Sequence, residues 1–369
     1  MAANLSSRIA LAMGEILPKM AAFSPQHKSS NTSLIDLSLA ENLLIRDELV
    51  DIFKSTFQEE LTPEAFSLPH EFSGELSVRT PLASFFNRFF KPAVNVEPEH
   101  IVMTAGVGTC LEALVYSICE DGDTIIIPGP YWFGFEPYLR TRANVKTIVA
   151  NLESYQDHGS QLIQALEEAY SSSPNPSRIK AVLLCNPHNP FSQCFSPEVL
   201  KSCLSFCQDR GLHVISDELY ALASIKGPKT DLMKFTSVLS LIDDKIINAD
   251  RVHIMWSGSK LLGLSGMRIR LTLSYDRLSE NLKKWGIEFL PASEGMFVFA
   301  KLAKDAKTGE EADELFAELA KNGVLVSPGK FYNGINTEIG WARITFSVSL
   351  DVLQEALARM SQILDRQVS

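Results

Sequence analysis

Between about Pro98 and Ser274 the chain alternates short apolar runs with stretches of helical periodicity, and this rhythm limits what it can fold into more than any other feature. The runs Thr124-Ile125-Ile126-Ile127, Lys180-Ala181-Val182-Leu183-Leu184, Leu212-His213-Val214-Ile215 and Val252-His253-Ile254-Met255 are each bounded by Gly, Pro, Asn or Asp. Continuous apolarity means burial on both faces, as in a mostly parallel sheet covered by helices. The helices show as Leu111, Leu114, Val115 and Ile118, and as Leu200, Cys203, Leu204 and Cys207 behind a Ser196-Pro197-Glu198 start that suits an N-cap and first turn. Arg268 to Ser274 alternates instead, with Ile269, Leu271 and Leu273 on one face, which predicts a strand of different exposure closing the sheet.

The remainder reads as a smaller α+β unit. Ala312, Leu315, Phe316 and Leu319 predict a helix over Glu310 to Lys321, Val324-Leu325-Val326 and Ala342 to Val348 read as strands, and Ser349-Leu350-Asp351 caps a final amphipathic helix. The first fifty residues are expected to join this unit. Ser171 to Ser177 reads as a polar surface loop.

With a net charge of −10, the chain lacks the clustered Lys and Arg that nucleic acid or an anionic membrane demands. The apolar stretch Ile9 to Met13 is broken by Glu15 and Lys19 before it could act as a signal-peptide core, and no run reaches bilayer-spanning length, so a cytoplasmic location is expected. The six cysteines show no Cys-x-x-Cys pair and read as core packing.

In an open α/β sheet, ligands bind beyond the carboxyl ends of the strands. Asn186-Pro187-His188-Asn189-Pro190 follows one run, Asp217-Glu218-Leu219-Tyr220 a second, and Ser257-Gly258-Ser259-Lys260 a third, while Thr104-Ala105-Gly106-Val107-Gly108-Thr109 opens a helix ahead of them. A lysine among small residues, held in a dry cleft, loses pKa and gains nucleophilicity, which an aldehyde cofactor requires. Taken singly, each motif has an ordinary reading: a turn, a helix cap, a solvated charge, a core tryptophan. Their order is what carries information.

In that order they resemble the pyridoxal-phosphate (PLP) enzymes of the aspartate aminotransferase fold, most closely the branch of 1-aminocyclopropane-1-carboxylate synthases and similar fungal enzymes. The resemblance covers most of the chain. It implies a large α/β domain over residues 49–274 with a mostly parallel seven-stranded sheet, and a small α+β domain from residues 1–48 and 275–369. It further implies that Lys260 holds PLP as a Schiff base and acts as general base, that Asp217 pairs with the pyridine nitrogen, and that Asn189 and Tyr220 bond the phenolic oxygen. Trp132 matches the stacking aromatic. Gly106, Val107, Gly108, Ser257, Ser259 and Arg268 match the phosphate site, and Arg343 matches the arginine that grips the substrate carboxylate. Glu41, in Ala40-Glu41-Asn42, matches a segment bordering the substrate. A homodimer acting on small amino and keto acids is implied, with a fungal secondary-metabolic role by analogy.

The chain also departs from the resemblance. The tyrosine that relatives donate across the dimer to the phosphate has no counterpart in Leu68 to Gly74, where His70 is the available substitute. The family's Asn-Pro-x-Gly turn reads Asn189-Pro190-Phe191-Ser192, and Arg270 replaces a small residue. Between Ser274 and Leu282, where relatives carry several interdomain helices, only Tyr275 to Asn281 remain. Transamination is the expected reaction. A lyase of the same fold, expelling a β or γ leaving group such as sulfur or closing a cyclopropane ring, is the alternative, and an inactive paralogue is the second alternative.

Overall fold

The apolar runs assemble into a five-stranded parallel sheet of order β4-β2-β5-β6-β7 in the computed structural model, which describes residues 6–23, 34–44, 46–63, 71–156, 158–225, 233–260, 264–334 and 339–365. In chain order the first elements are α1 (Ser7–Phe23), β1 (Ile35–Asp36), α2 (Arg46–Glu60), α3 (Leu76–Phe89), α4 (Val107–Ile118), β2 (Thr124–Pro128), β3 (Tyr131–Trp132), α5 (Phe135–Arg140) and β4 (Lys146–Ala150). There follow α6 (His158–Ser171), β5 (Ile179–Cys185), α7 (Pro197–Arg210), β6 (His213–Asp217), β7 (Val252–Met255) and α8 (Leu264–Lys284). The last are β8 (Phe289–Leu290), β9 (Phe297–Ala300), α9 (Gly309–Lys321), β10 (Val324–Leu325), β11 (Ser327–Pro328), β12 (Tyr332–Asn333), β13 (Ala342–Thr345) and α10 (Leu350–Leu364).

The three central strands, β2, β5 and β6, are buried on both faces. Ile125, Ile127, Leu183 and Ile215 pack with Leu111 and Val115 of α4. Ile126, Val182, Leu184 and Val214 pack on the other face with Leu200, Cys203, Leu204 and Cys207 of α7. Fully burying a side chain of this size contributes about 1.5–3 kcal/mol, so the two-sided core fixes both the strands and their helices. The cysteines behave as core residues or lie partly buried, and all six are free. Helix α7 begins as its sequence suggests, with the Ser196 hydroxyl accepting the Val199 N–H and Gly211 closing it in the left-handed conformation.

Register decides where the site lies. Cys185 pairs with Asp217 and Asp217 with Met255, so β5, β6 and β7 end level, and the segments carrying Asn189, Tyr220 and Lys260 leave the same edge of the sheet.

The second unit is a four-stranded antiparallel sheet, β11-β13-β9-β8, with α9 and α10 over it. The N-terminal segment joins it: β1 pairs with β10, and Leu37, Ala40 and Leu44 are buried in its core. Ser349 caps α10 by accepting the Val352 N–H.

Two expectations are corrected. The sheet has five strands among the described residues, not seven. Arg268 to Ser274 is not a strand but part of α8, which continues to Lys284 and contains the expected 274/275 domain boundary. The reason lies beyond the seven residues that alternate. Leu271, Tyr275, Leu278, Leu282 and Trp285 repeat at helical spacing and pack into the second unit's core, whereas Leu273, expected beside Leu271 on a strand, is 48% exposed. A helical stripe that long outweighs three alternating residues.

Candidate active site

A cavity of about 330 Å³ opens at the shared edge where β5, β6 and β7 end. Its wall holds Lys260, Asp217, Asn189, Tyr220, Trp132, Arg343, Glu41, Val107, Gly108 and Ser259 of the residues singled out in the sequence. Gly106 and Ser257 are not on that wall. Gly106, at φ +94°, is the exposed N-cap of α4, and the Ser257 hydroxyl shares a 2.9 Å hydrogen bond with that of Ser259. The side chains of Arg268 and Arg270 and all of His70 lie outside the described residues.

Asp217 ends β6 and is buried, its Oδ1 accepting the Leu219 N–H at 3.1 Å. Burial pushes its carboxyl up to about 7, against the pull of that hydrogen bond and of the Lys260 ammonium. A carboxylate at this cost is kept where a cation comes to meet it. Beside it, Glu218 is fully buried, bonded by the hydroxyls of Ser216 and Ser237 and by the Val238 N–H, which pins the strand end to residues 237–238.

Asn189 projects from a turn fastened at several points. The Asn186 N–H donates to the Asp217 carbonyl at 2.9 Å, and the Asn186 side chain donates to the Thr236 carbonyl and accepts from the Phe195 N–H. Ser192 is buried in the left-handed region at φ +55°. Trp132 reaches the cavity from β3, which pairs with β12. That pair is tied by the Tyr131 hydroxyl donating to Glu136 Oε1 at 2.6 Å and by Asn333 Nδ2 donating to the Tyr131 oxygen at 3.0 Å. The indole covers Gly134 so closely that an added Cβ would lie 2.1 Å from it.

The opposite wall comes from the second unit. Arg343, on β13, is 5% exposed, donates from Nη1 to Asn189 Oδ1 at 3.0 Å and from Nη2 to the Ser38 carbonyl at 2.6 Å, and lies over the Phe297 ring. Lys260 Nζ donates to the Ala40 carbonyl at 2.6 Å. Burial lowers its pKa and the nearby Arg343 guanidinium lowers it further, while Glu41 and Asp217 oppose both. Ser38 to Glu41 is stitched to β13 by the Thr345 N–H donating to the Leu37 carbonyl and the Ser347 hydroxyl donating to the Glu41 carbonyl.

Sequence reasoning did not identify Ser38, Leu39, Ala40, Leu111, Phe135, Tyr138 or Leu219 as wall residues. Ala40 acts through its carbonyl, for which residue type gives no signal. The residues present suit PLP: a depressed-pKa lysine, a buried carboxylate for a ring cation, an amide and a phenol, an aromatic wall, and a helix N-terminus for a phosphate. Among the described residues no helix is long and apolar enough to cross a membrane, and no cluster of metal-ligating side chains occurs.

Known proteins agree with this architecture. An aromatic aminotransferase of Pyrococcus horikoshii superposes with a TM-score of 0.75 at 17% identity over 95% of this chain and 99% of that one, a likeness of fold. A protein of Aspergillus oryzae named "Probable aminotransferase aclI" is 34% identical over 418 aligned positions, covering 99% of each chain. 1-Aminocyclopropane-1-carboxylate synthase 7 of Arabidopsis thaliana is 29% identical, covering 93% of this chain and 90% of that protein. The alignment with the Aspergillus protein exceeds the 369 residues here, so at least 49 of its positions lack a counterpart in this chain. The family described as "Aminotransferase class I and II" matches in two pieces, residues 33–270 and 267–360, which meet within α8. The chain belongs to the aminotransferase class I and II family, whose cofactor is pyridoxal phosphate.

Proposed function

We propose that this protein is an aminotransferase that exchanges the amino group of a small amino acid with a keto acid, with Lys260 as the proton-transferring base. The observation that carries this reading is the meeting of Lys260, Asp217, Asn189, Tyr220 and Arg343 on one cavity wall. PLP, when bound, supplies an electron sink for the pair left at the substrate Cα. Asp217, whose carboxyl burial raises to about 7, would keep a proton on the ring nitrogen and would itself be held ionised there. Asn189 and Tyr220 bond the phenolic oxygen, and Trp132 covers the ring face. Val107, Gly108 and Ser259 serve the phosphate end, joined by Gly106, Ser257 and Arg268 by resemblance. Arg343 turns its guanidinium from Ser38 and Asn189 to the substrate carboxylate, which fixes the Cα proton within reach of Lys260. The amine, held below its ordinary pKa by burial, takes that proton and returns it elsewhere. Glu41, exposed at the mouth, meets the distal part of the substrate.

The likeness to 1-aminocyclopropane-1-carboxylate synthases favours a second reading, elimination of a β or γ leaving group after the same first proton transfer. Incubation with an amino acid panel and a keto acid separates the two. Amino exchange that requires the keto acid supports transamination, whereas release of ammonia or thiol without an acceptor supports elimination.

We further infer a homodimer, in which a second copy covers Val102 and Met103, exposed beside the N-terminus of α4, and Phe53 and Phe57 of α2. From the resemblance to the fungal branch we further infer a role in fungal secondary metabolism, in the cytoplasm.

A further inference from the structure

We propose that the hydroxyl of Tyr138, supplied by α5, is a ligand of the cofactor's phosphate group at the N-terminus of α4. The proposal rests on PLP being the cofactor and adds a residue that neither the motifs nor the resemblance assigns. Tyr138 lines the same cavity as Lys260 and Asp217, and it does so next to Gly108 in the first turn of α4. A Cβ added at Gly108 would lie 2.3 Å from Tyr138 Cζ and 2.5 Å from its hydroxyl oxygen. The phenol therefore fills the volume that a side chain at position 108 would take. Because the Cα–Cβ bond in a helix tilts toward the N-terminus, that volume faces the unpaired N–H groups of the first turn. There the helix macrodipole favours an anion.

The other hydroxyls at this end are engaged. Thr104 Oγ1 donates to the Gly106 carbonyl at 3.0 Å, Thr109 Oγ1 to the Ala105 carbonyl at 3.5 Å, and Ser257 and Ser259 bond each other. The Tyr138 hydroxyl has no hydrogen-bond partner among the described residues. Gly108 thus does two things: it lets the backbone approach the phosphate, and it leaves room for a donor from the neighbouring helix.

The test is a titration of cofactor-free protein with PLP and, separately, with pyridoxal, which lacks the phosphate, followed by visible absorbance and tryptophan fluorescence. Tyr138→Phe retains the ring against Gly108 and deletes the donor. Its Kd for PLP should rise about ten- to a hundredfold, the range for a hydrogen bond to a charged group, while its Kd for pyridoxal stays at the parent value. An unchanged PLP affinity overturns the proposal. Equal weakening toward PLP and pyridoxal also overturns it, since that is loss of ring packing. A parent protein that binds neither compound removes the cofactor reading and the proposal with it, and this outcome shows before any substitution is made.

Discussion

The strand end Ser216-Asp217 and the helix α8 lie in the same part of the molecule, but different neighbours hold them. Asp217 is gripped on two sides by parallel partners, Cys185 and Met255, and the strand behind it is buried on both faces. Helix α8 touches the core along one stripe, Leu271, Leu278 and Leu282, and that stripe belongs to the second unit. A central parallel strand has no alternative partner, so its conformation follows from its own residues. A segment buried on one side takes whichever periodicity its continuation supports. At least 49 aligned positions of the Aspergillus relative have no counterpart in this chain, the family match breaks within α8 at residues 267–270, and the stripe at Tyr275, Leu278 and Leu282 packs into the second unit as a helix.

The largest expected effect tests the sheet side of this contrast. If the strand ends deliver a working site, Lys260→Ala should lower steady-state turnover about ten-thousandfold or more with the protein still folded. Turnover within tenfold of the parent would show that another group moves the proton.

Next in size is the helix itself. Leu271→Ala should destabilise by about 2–5 kcal/mol in urea unfolding, as a truncation in a packed core does. Leu273→Ala should stay within about 0.5 kcal/mol, because that side chain is half exposed. Equal losses at both positions would restore the strand and break the comparison.

Asp217 sharpens it through pH. Its carboxyl has a folded pKa of about 7 against an ordinary 3.8, so the folded state binds the proton more tightly. The resulting contribution to stability is complete below 3.8 and is lost as pH rises through about 7. Cofactor-free Asp217→Asn, which cannot ionise, should therefore exceed the parent by roughly 2–4 kcal/mol at pH 8, with the gap closing toward pH 4. A gap independent of pH would mean that burial does not raise this carboxyl.

The smallest effect concerns Ser192. Its φ of +55° and its buried hydroxyl, which has no partner among the described residues, both favour glycine. Ser192→Gly should stabilise by about 1 kcal/mol, seen as a higher melting temperature. A lower one would mean that the serine makes up its strain elsewhere.

Much of the site was legible because the chemistry depends on residue type. An Asn-Pro turn, an Asp ahead of a Tyr, and a lysine among serines each follow an apolar run, and parallel register brings them level. The N-terminal wall was legible only at Glu41, since Ala40 contributes a carbonyl that any residue carries. Tyr138 was hidden for a related reason: its position depends on the side chain that Gly108 lacks, a relation between two helices that neither segment displays. The fate of Arg268 to Ser274 was misread because local alternation is weak evidence once a longer helical stripe takes over, and with that segment went one of the seven strands that the resemblance implied.

The central claim is that this chain, in which at least 49 aligned positions of the Aspergillus relative have no counterpart, still builds a cofactor site. The most direct measurement is the absorbance spectrum of the purified protein with added PLP, before and after borohydride, followed by peptide mapping. A visible band that reduction fixes covalently to Lys260 is the predicted result. Protein that is folded by circular dichroism yet gives no such band would contradict the claim and make this chain an inactive member of its family.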